Sequence, residues 1–422
     1  MADRFRSSGA DSAYRLLLAD DSGTVRRLMR RLLDREPDVR VVAEAENGRS
    51  AVDMVRQAAA SGQPIEIVLL DVEMPVMDGI TALERLAKVR PAPQVIMLSA
   101  HTRQGAVVTV KALARGAYDY VCKPVARSDR SFDSFRRELL GKIRAGGKAL
   151  RMRRQAGPRP TDSPASTKPT VGRATSPARP ADSPAPATRT DSSVTRPPRT
   201  TSPRAAAASP APTTRLRSLP PHPRPTTATR PTALAIGSST GGPQAVLRLL
   251  RDLGPRHGIP IFLTQHMPPA FTAAFAEQIA QELDLPCSEA RQGETVEAGR
   301  IYVAPGDFHL LVEGRPDDAR IQLSKSPPEN FCRPAVDPML RSLVSVYGER
   351  LVAVILTGMG SDGAEGCREV AEAGGRILVQ DRETSVVWGM PGAVVAAGLP
   401  ATVLPLQQIG GHLRTLMNGL GR

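Results

Sequence analysis

Thr232-Ala-Leu-Ala-Ile-Gly237, followed by Ser238-Ser239-Thr240-Gly241-Gly242 and a helical apolar spacing from Pro243, reads as a buried strand running through a tight turn into a helix. Two later stretches repeat the strand-then-turn design. Ile259-Pro-Ile-Phe-Leu-Thr264 ends in Gln265-His266-Met267, and Leu351-Val-Ala-Val-Ile-Leu356 ends in Thr357-Gly-Met-Gly-Ser-Asp362-Gly363. Short apolar strands alternating with helices predict a parallel α/β sheet. In such sheets the ligand crevice lies outside the carboxyl ends of the strands. Ser239, His266 and Asp362 are therefore expected at one edge, and that trio has the chemistry of nucleophilic hydrolysis.

Gly237-Ser-Ser-Thr-Gly241 fits the G-x-S-x-G nucleophile turn in its required strand-before, helix-after setting. Ser239 is the central serine; Ser238 and Thr240 flank it and remain alternatives. The helix after the turn offers N–H donors near Thr240 and Gly241 for an oxyanion. Of the six histidines, His101, His222, His257, His309 and His412 fall in the N-terminal half, a linker, a loop, a hairpin-like stretch and the last helix. Only His266 comes directly after a buried-type strand, which makes it the candidate base. Asp362 is preferred as the acid over Asp307 and Asp337, neither of which comes after a long apolar strand. The order Ser…His…Asp differs from that of α/β-hydrolases, where the acid precedes the histidine. A dinucleotide site is the rival for a glycine-rich turn, but Gly237–Gly242 lacks the third-position glycine of G-x-G-x-x-G, and no Walker lysine comes after it.

The chain has 422 residues and a formal charge of +14, which suggests two or three domains. Residues 151–230 hold 15 Lys+Arg, 3 Asp and 17 Pro with few large apolar side chains. Such a stretch cannot bury enough surface to offset chain entropy, so a disordered basic linker is expected. It lacks stacking aromatics, so no nucleic-acid partner is expected. Cys122, Cys287, Cys332 and Cys367 form no CxxC pair, which suits a reducing cytoplasm rather than a disulfide framework or a zinc site. Neither a signal-peptide core nor a bilayer-length apolar run is evident, so no membrane insertion is expected.

Residues 14–145 predict a doubly wound sheet. Tyr14–Ala19 leads to Asp20-Asp21, and Val39–Ala43 is a second strand. Ile65–Leu70 leads to Asp71, Gln94–Leu98 to Ser99, and a strand around Tyr118–Val121 to Cys122-Lys123. Clustered carboxylates of this kind suit Mg²⁺, and one can act as a nucleophile toward phosphorus. Ser99 and Lys123 are placed to bind acyl-phosphate oxygens.

On Asp20-Asp21, Asp71 with Met74-Pro75 and Asp78-Gly79, Ser99, Tyr120 and Lys123-Pro124, residues 14–145 resemble the receiver domain of response regulators, a flavodoxin-like fold. The resemblance implies phosphorylation of Asp71 by a histidine kinase. It also implies Mg²⁺ held by Asp20, Asp21 and Asp71, Lys123 pairing with the phosphoryl group, and Ser99 and Tyr120 as the switch pair.

Residues 231–422 resemble the catalytic domain of the CheB protein-glutamate methylesterases, a Rossmann-like α/β fold. The segments that carry it are Ala235–Gly242, Thr264–Pro269, Tyr302–Asp307, Arg333–Asp337, Ile355–Gly363 and Gly389–Pro391. The resemblance implies demethylation of glutamyl γ-esters on chemoreceptors, with deamidation of glutamines, by Ser239, His266 and Asp362. It sets Met359 beside the oxyanion pocket and requires no cofactor in the esterase site. Residues 146–230 form a linker far longer than the family's usual one. The expected product is a cytoplasmic monomer. A response regulator whose output is binding, through the basic linker, is the alternative; no DNA-reading motif supports it in residues 231–422.

Overall fold

The computed structural model describes residues 13–100, 102–123, 129–155, 229–255 and 257–418. His101, Pro124, His222 and most of the basic linker lie outside the described residues.

The N-terminal sheet is parallel, with β1 (Tyr14–Ala19), β2 (Val39–Ala45), β3 (Ile67–Asp71), β4 (Gln94–Ser99) and β5 (Asp119–Cys122) in the order β2-β1-β3-β4-β5. This is the flavodoxin-like order. Five helices cover it: α1 (Gly23–Leu33), α2 (Gly48–Ala60), α3 (Gly79–Leu86), α4 (Arg103–Ala114) and α5 (Asp129–Gln155). Each of the first four begins at a polar residue whose side chain accepts an orphan N–H. Ser22 caps α1, Asn47 caps α2, Asp78 caps α3 and Thr102 caps α4. The third strand starts two residues later than its apolar run suggests and keeps Asp71 inside the ladder. Glu66, just before it, instead accepts the Arg15 N–H at 3.1 Å and pairs with Arg151. The second strand runs two residues beyond Ala43.

The C-terminal sheet has seven parallel strands: β6 (Ala233–Ser238), β7 (Ile261–Gln265), β8 (Cys287–Glu289), β9 (Ile301–Val303), β12 (Leu351–Ile355), β13 (Arg376–Gln380) and β14 (Ala401–Leu404). An antiparallel hairpin, β10 (His309–Glu313) with β11 (Arg320–Ser324), stands apart from it. The helices are α6 (Gly242–Leu253), α7 (Pro269–Leu283), α8 (Val336–Tyr347), α9 (Ala364–Glu372), α10 (Met390–Ala396) and α11 (Leu406–Met417). The order is β14-β13-β12-β6-β7-β9-β8. The domain's first strand is thus central, and the chain winds one way to β7 and later the other way to β12. That reversal makes the carboxyl ends of β6, β7 and β12 the topological switch point. These three strands are buried along their whole length, as strands covered on both faces must be.

Candidate active site and acidic cluster

The turn after β6 is set by Gly241, whose φ of +74° is the left-handed conformation that glycine adopts at least cost. It caps α6 and leaves three hydroxyls in different settings. Ser238 is fully buried, with its Oγ 2.7 Å from Gln265 Oε1. Thr240 is buried as well, its side chain meeting Asp119 of β5. Ser239 alone is half-buried, and its Oγ has no hydrogen-bond partner among the described residues. Of the candidate nucleophiles, it is the one open to a substrate. The Gly242 N–H turns inward to Ser239 O at 2.8 Å, so it is not free for an oxyanion. Those of Thr240 and Gly241 have no acceptor among the described residues.

His266 lies beside this turn, its N–H donating to Ser238 O at 3.2 Å. Its Nε2 is 2.7 Å from Asp362 Oδ2, and Nδ1 is 3.4 Å from Cys332 Sγ. The carboxylate thus takes Nε2 and Nδ1 faces the sulfur, the reverse of the chymotrypsin-type arrangement, in which the carboxylate takes Nδ1. Asp362 also accepts the Val336 N–H at 2.6 Å and the Asp337 N–H at 3.1 Å, at the N-terminus of α8. Asn330 Nδ2 adds a bond of 3.0 Å to its Oδ1.

Burial works against the Asp362 charge. The His266 bond and charge and the α8 amides outweigh it and hold the carboxyl below its usual range. Burial also opposes the His266 charge, but the Asp362 bond and the Cys332 sulfur win and raise the imidazole above 6.5. An NMR titration of the His266 ring should therefore find its pKa above 6.5. Asp362→Asn should lower it, because the partner that stabilises the imidazolium loses its charge; an unmoved pKa would show that the carboxylate is not its source.

Asp337, the weaker acid candidate, is buried one turn away. It accepts the Gly366 N–H at 2.7 Å and the Asn330 side chain at 2.9 Å. Burial and the Asp362 charge push its carboxyl up, and its bonds go to Asn330 and α9 rather than to the histidine. Asp307 lies apart from these contacts, in a left-handed turn with φ of 64°.

In the N-terminal domain, carboxylate oxygens of Asp20, Asp21 and Asp71 all lie within 4.8 Å of one another. Lys123 Nζ pairs with Asp20 at 2.8 Å and with Asp71 at 2.7 Å. Burial raises the Asp71 carboxyl to about 6, against the pull of Lys123 and with a push from the Asp20 charge. Gly79 is required here, because a Cβ on it would come within 2.1 Å of Asp71 O. Ser99 is buried and accepts the Thr109 hydroxyl at 2.8 Å.

Tyr120 points away from this cluster into the C-terminal domain. Its ring stacks on Phe271 of α7 with centroids 4.6 Å apart. Around it, Gln244 of α6 donates to Leu113 O and Ala117 O, both at 2.8 Å, and Arg103 pairs with Glu277 at 3.2 Å. Met359, partly exposed in the turn before Asp362, packs toward Gly141 of α5. Sequence reasoning missed Asn330, Cys332 and the α8 amides, the groups that hold His266 and Asp362.

The molecule thus joins a hydrolase-type constellation to a domain with a phosphoacceptor-type acidic cluster. The CheB methylesterase family model matches residues 234–413, and the response regulator receiver model matches 16–130. The chain is 44% identical to the protein-glutamate methylesterase/protein-glutamine glutaminase of group 2 operon of Rhodospirillum centenum, across 97% of this chain and 95% of that protein. It is 42% identical to the protein-glutamate methylesterase/protein-glutamine glutaminase of Azospirillum brasilense, across 97% and 93%. The crystal structure of the Thermotoga maritima CheB methylesterase catalytic domain aligns at 40% identity over 44% of this chain and 100% of that one, with a TM-score of 0.43. The chain belongs to the CheB methylesterase family and carries a response regulator receiver domain.

Proposed function

We propose that the protein is a phosphorylation-controlled methylesterase that cleaves glutamyl γ-methyl esters on chemoreceptors and deamidates receptor glutamines. The observation that carries this reading is the 2.7 Å His266–Asp362 bond at the strand ends beside half-buried Ser239. Ser239 Oγ attacks the acyl carbon while its proton passes to His266 Nδ1. The oxyanion meets the N–H groups of Thr240 and Gly241. As the tetrahedral adduct collapses, the ester C–O bond breaks and His266 protonates the leaving oxygen, giving methanol. Water then attacks the acyl-enzyme, its proton goes to His266, and glutamate and Ser239 are released. A glutamine amide takes the same course with ammonia as the leaving group. The reading fails if purified protein releases no methanol from methyl-labelled receptor.

In the receiver, Asp71 attacks the phosphorus of a kinase phosphohistidine and the P–N bond breaks. Asp20, Asp21 and Asp71 supply the hard oxygen donors that Mg²⁺ requires, and their convergence fits that ion. Bound there, the ion would offset the charge of the carboxylates and the phosphoryl group. Lys123 then pairs with the phosphoryl oxygens, and Ser99 and Tyr120 respond as the switch pair. With acetyl phosphate and Mg²⁺ the protein should gain one phosphoryl group, lost in Asp71→Asn; labelling that survives the substitution would place the acceptor elsewhere.

The proposed division is receiver 14–145, linker 146–230 and catalytic domain 231–422, with α5 running on to Gln155. The protein is read as a cytoplasmic monomer with the receptor and a histidine kinase as partners and no nucleic acid. Among the described residues no helix is long and apolar enough to cross a membrane.

A further inference from the structure

Between the hairpin and α8, residues 329–332 make a two-residue turn. Glu329 and Cys332 face each other across it through two backbone bonds of 2.8 and 3.1 Å. Both central residues are left-handed, Asn330 at φ 51° and Phe331 at φ 64°. A two-residue loop with both φ values positive favours Asn followed by Gly. Here the second place holds a phenylalanine, and that residue is 95% exposed. A bulky residue in this conformation costs free energy, and such strain concentrates at ligand clamps and active sites.

Every other residue of the turn is tied down beside the reacting groups. Asn330 bonds Asp362 and Asp337, Cys332 meets His266 Nδ1, and Glu329 pairs with Arg341 of α8. The phenylalanine is thus an apolar projection on a held turn, within two residues of contacts to both His266 and Asp362. Exposed aromatics on pre-organised backbone are the typical anchors of protein recognition.

The geometry points to Phe331 as a specificity residue for the protein substrate: it takes up an apolar side chain on the same helix face as the glutamyl ester, about one turn away. This rests on the esterase reading and adds how a receptor, rather than any glutamyl ester, is selected. The occupant is the ester-bearing polypeptide, because the turn is continuous with the site where that ester must sit. A small ester lacks the neighbouring apolar side chain that Phe331 is proposed to take up.

The test compares kcat/KM of the full-length protein on methylated receptor in membranes and on the γ-methyl ester of N-acetylglutamate amide. Phe331→Ala and Phe331→Gly should each lower the receptor-to-small-ester ratio about tenfold, equal to about 1.4 kcal/mol. The loss should lie in KM, and Phe331→Trp should restore it. Glycine relieves the backbone while removing the ring, so a normal ratio in Phe331→Gly alone would trace the effect to strain and overturn the proposal. Equal losses on both substrates, or none on either, would also overturn it. If wild-type protein hydrolyses neither substrate, the esterase reading itself has failed.

Discussion

Ser239→Ala, His266→Ala and Asp362→Asn should each lower ester hydrolysis by about 10³-fold or more, with folding retained. The three groups stand at the ends of adjacent strands and, in the proposed mechanism, act as one unit, so removing a second should cost far less than the first. Asp362→Asn is the subtlest of the three. It keeps the shape and an acceptor oxygen for one of the two α8 amides, which bond to different carboxylate oxygens, but loses the charge that orients the His266 ring. In Ser239→Ala folding should persist because Ser239 is half-buried and its hydroxyl has no hydrogen-bond partner among the described residues. The measurement is methanol release, with circular dichroism as the folding control. Near-wild-type turnover in Ser239→Ala would move the nucleophile elsewhere, although buried Ser238 and Thr240 are poorly placed to take over.

Shortening residues 151–230 to about 15 residues should lower the unphosphorylated rate about tenfold. The receiver packs beside the catalytic edge: Tyr120 stacks on Phe271, Gln244 reaches two receiver carbonyls, and Met359 lies against α5. The stacked pair adds about 0.5–1.5 kcal/mol beyond its buried area. We read this contact as a mask that phosphorylation of Asp71 loosens, with Tyr120 as the link because it belongs to the interface and to the proposed switch pair. Masking by a tethered domain depends on its effective concentration, which falls roughly as the −3/2 power of tether length. The 80-residue segment therefore weakens the mask, and the intact chain should show basal activity before phosphorylation. Rates for intact, shortened and 231–422 proteins decide this. An unphosphorylated rate that ignores linker length would show that the tether does not set the mask.

The N-terminal sheet and the three central strands of the C-terminal sheet were legible in the sequence because buried parallel strands leave apolar runs of five or six residues, and the topology carries the residue after each run to one edge; the short β8 and β9 and the outer β13 and β14 were not read. His266 and Asp362 could be singled out in this way without contact information. The choice among Ser238, Ser239 and Thr240 could not be made so firmly. It depends on which hydroxyl the Gly241 turn buries, and that is decided by Gln265 and Asp119 from elsewhere in the chain. Asn330 and Cys332 left no local signal, since a turn between a hairpin and a helix has no periodicity, and tertiary packing alone carries it to the histidine. The same applies to Tyr120, whose motif suggests a switch while its partner, Phe271, lies far along the chain in the other domain.

The most direct test of a phosphorylation-controlled esterase is methanol release from methyl-labelled receptor by the full-length protein, with and without acetyl phosphate and Mg²⁺. Release should be measurable before phosphorylation, rise on adding the phosphodonor, stay at the basal rate in Asp71→Asn and vanish in Ser239→Ala. Equal release with and without phosphodonor in a protein shown to carry the phosphoryl group would contradict control by the receiver. Undiminished release by Ser239→Ala would contradict the site.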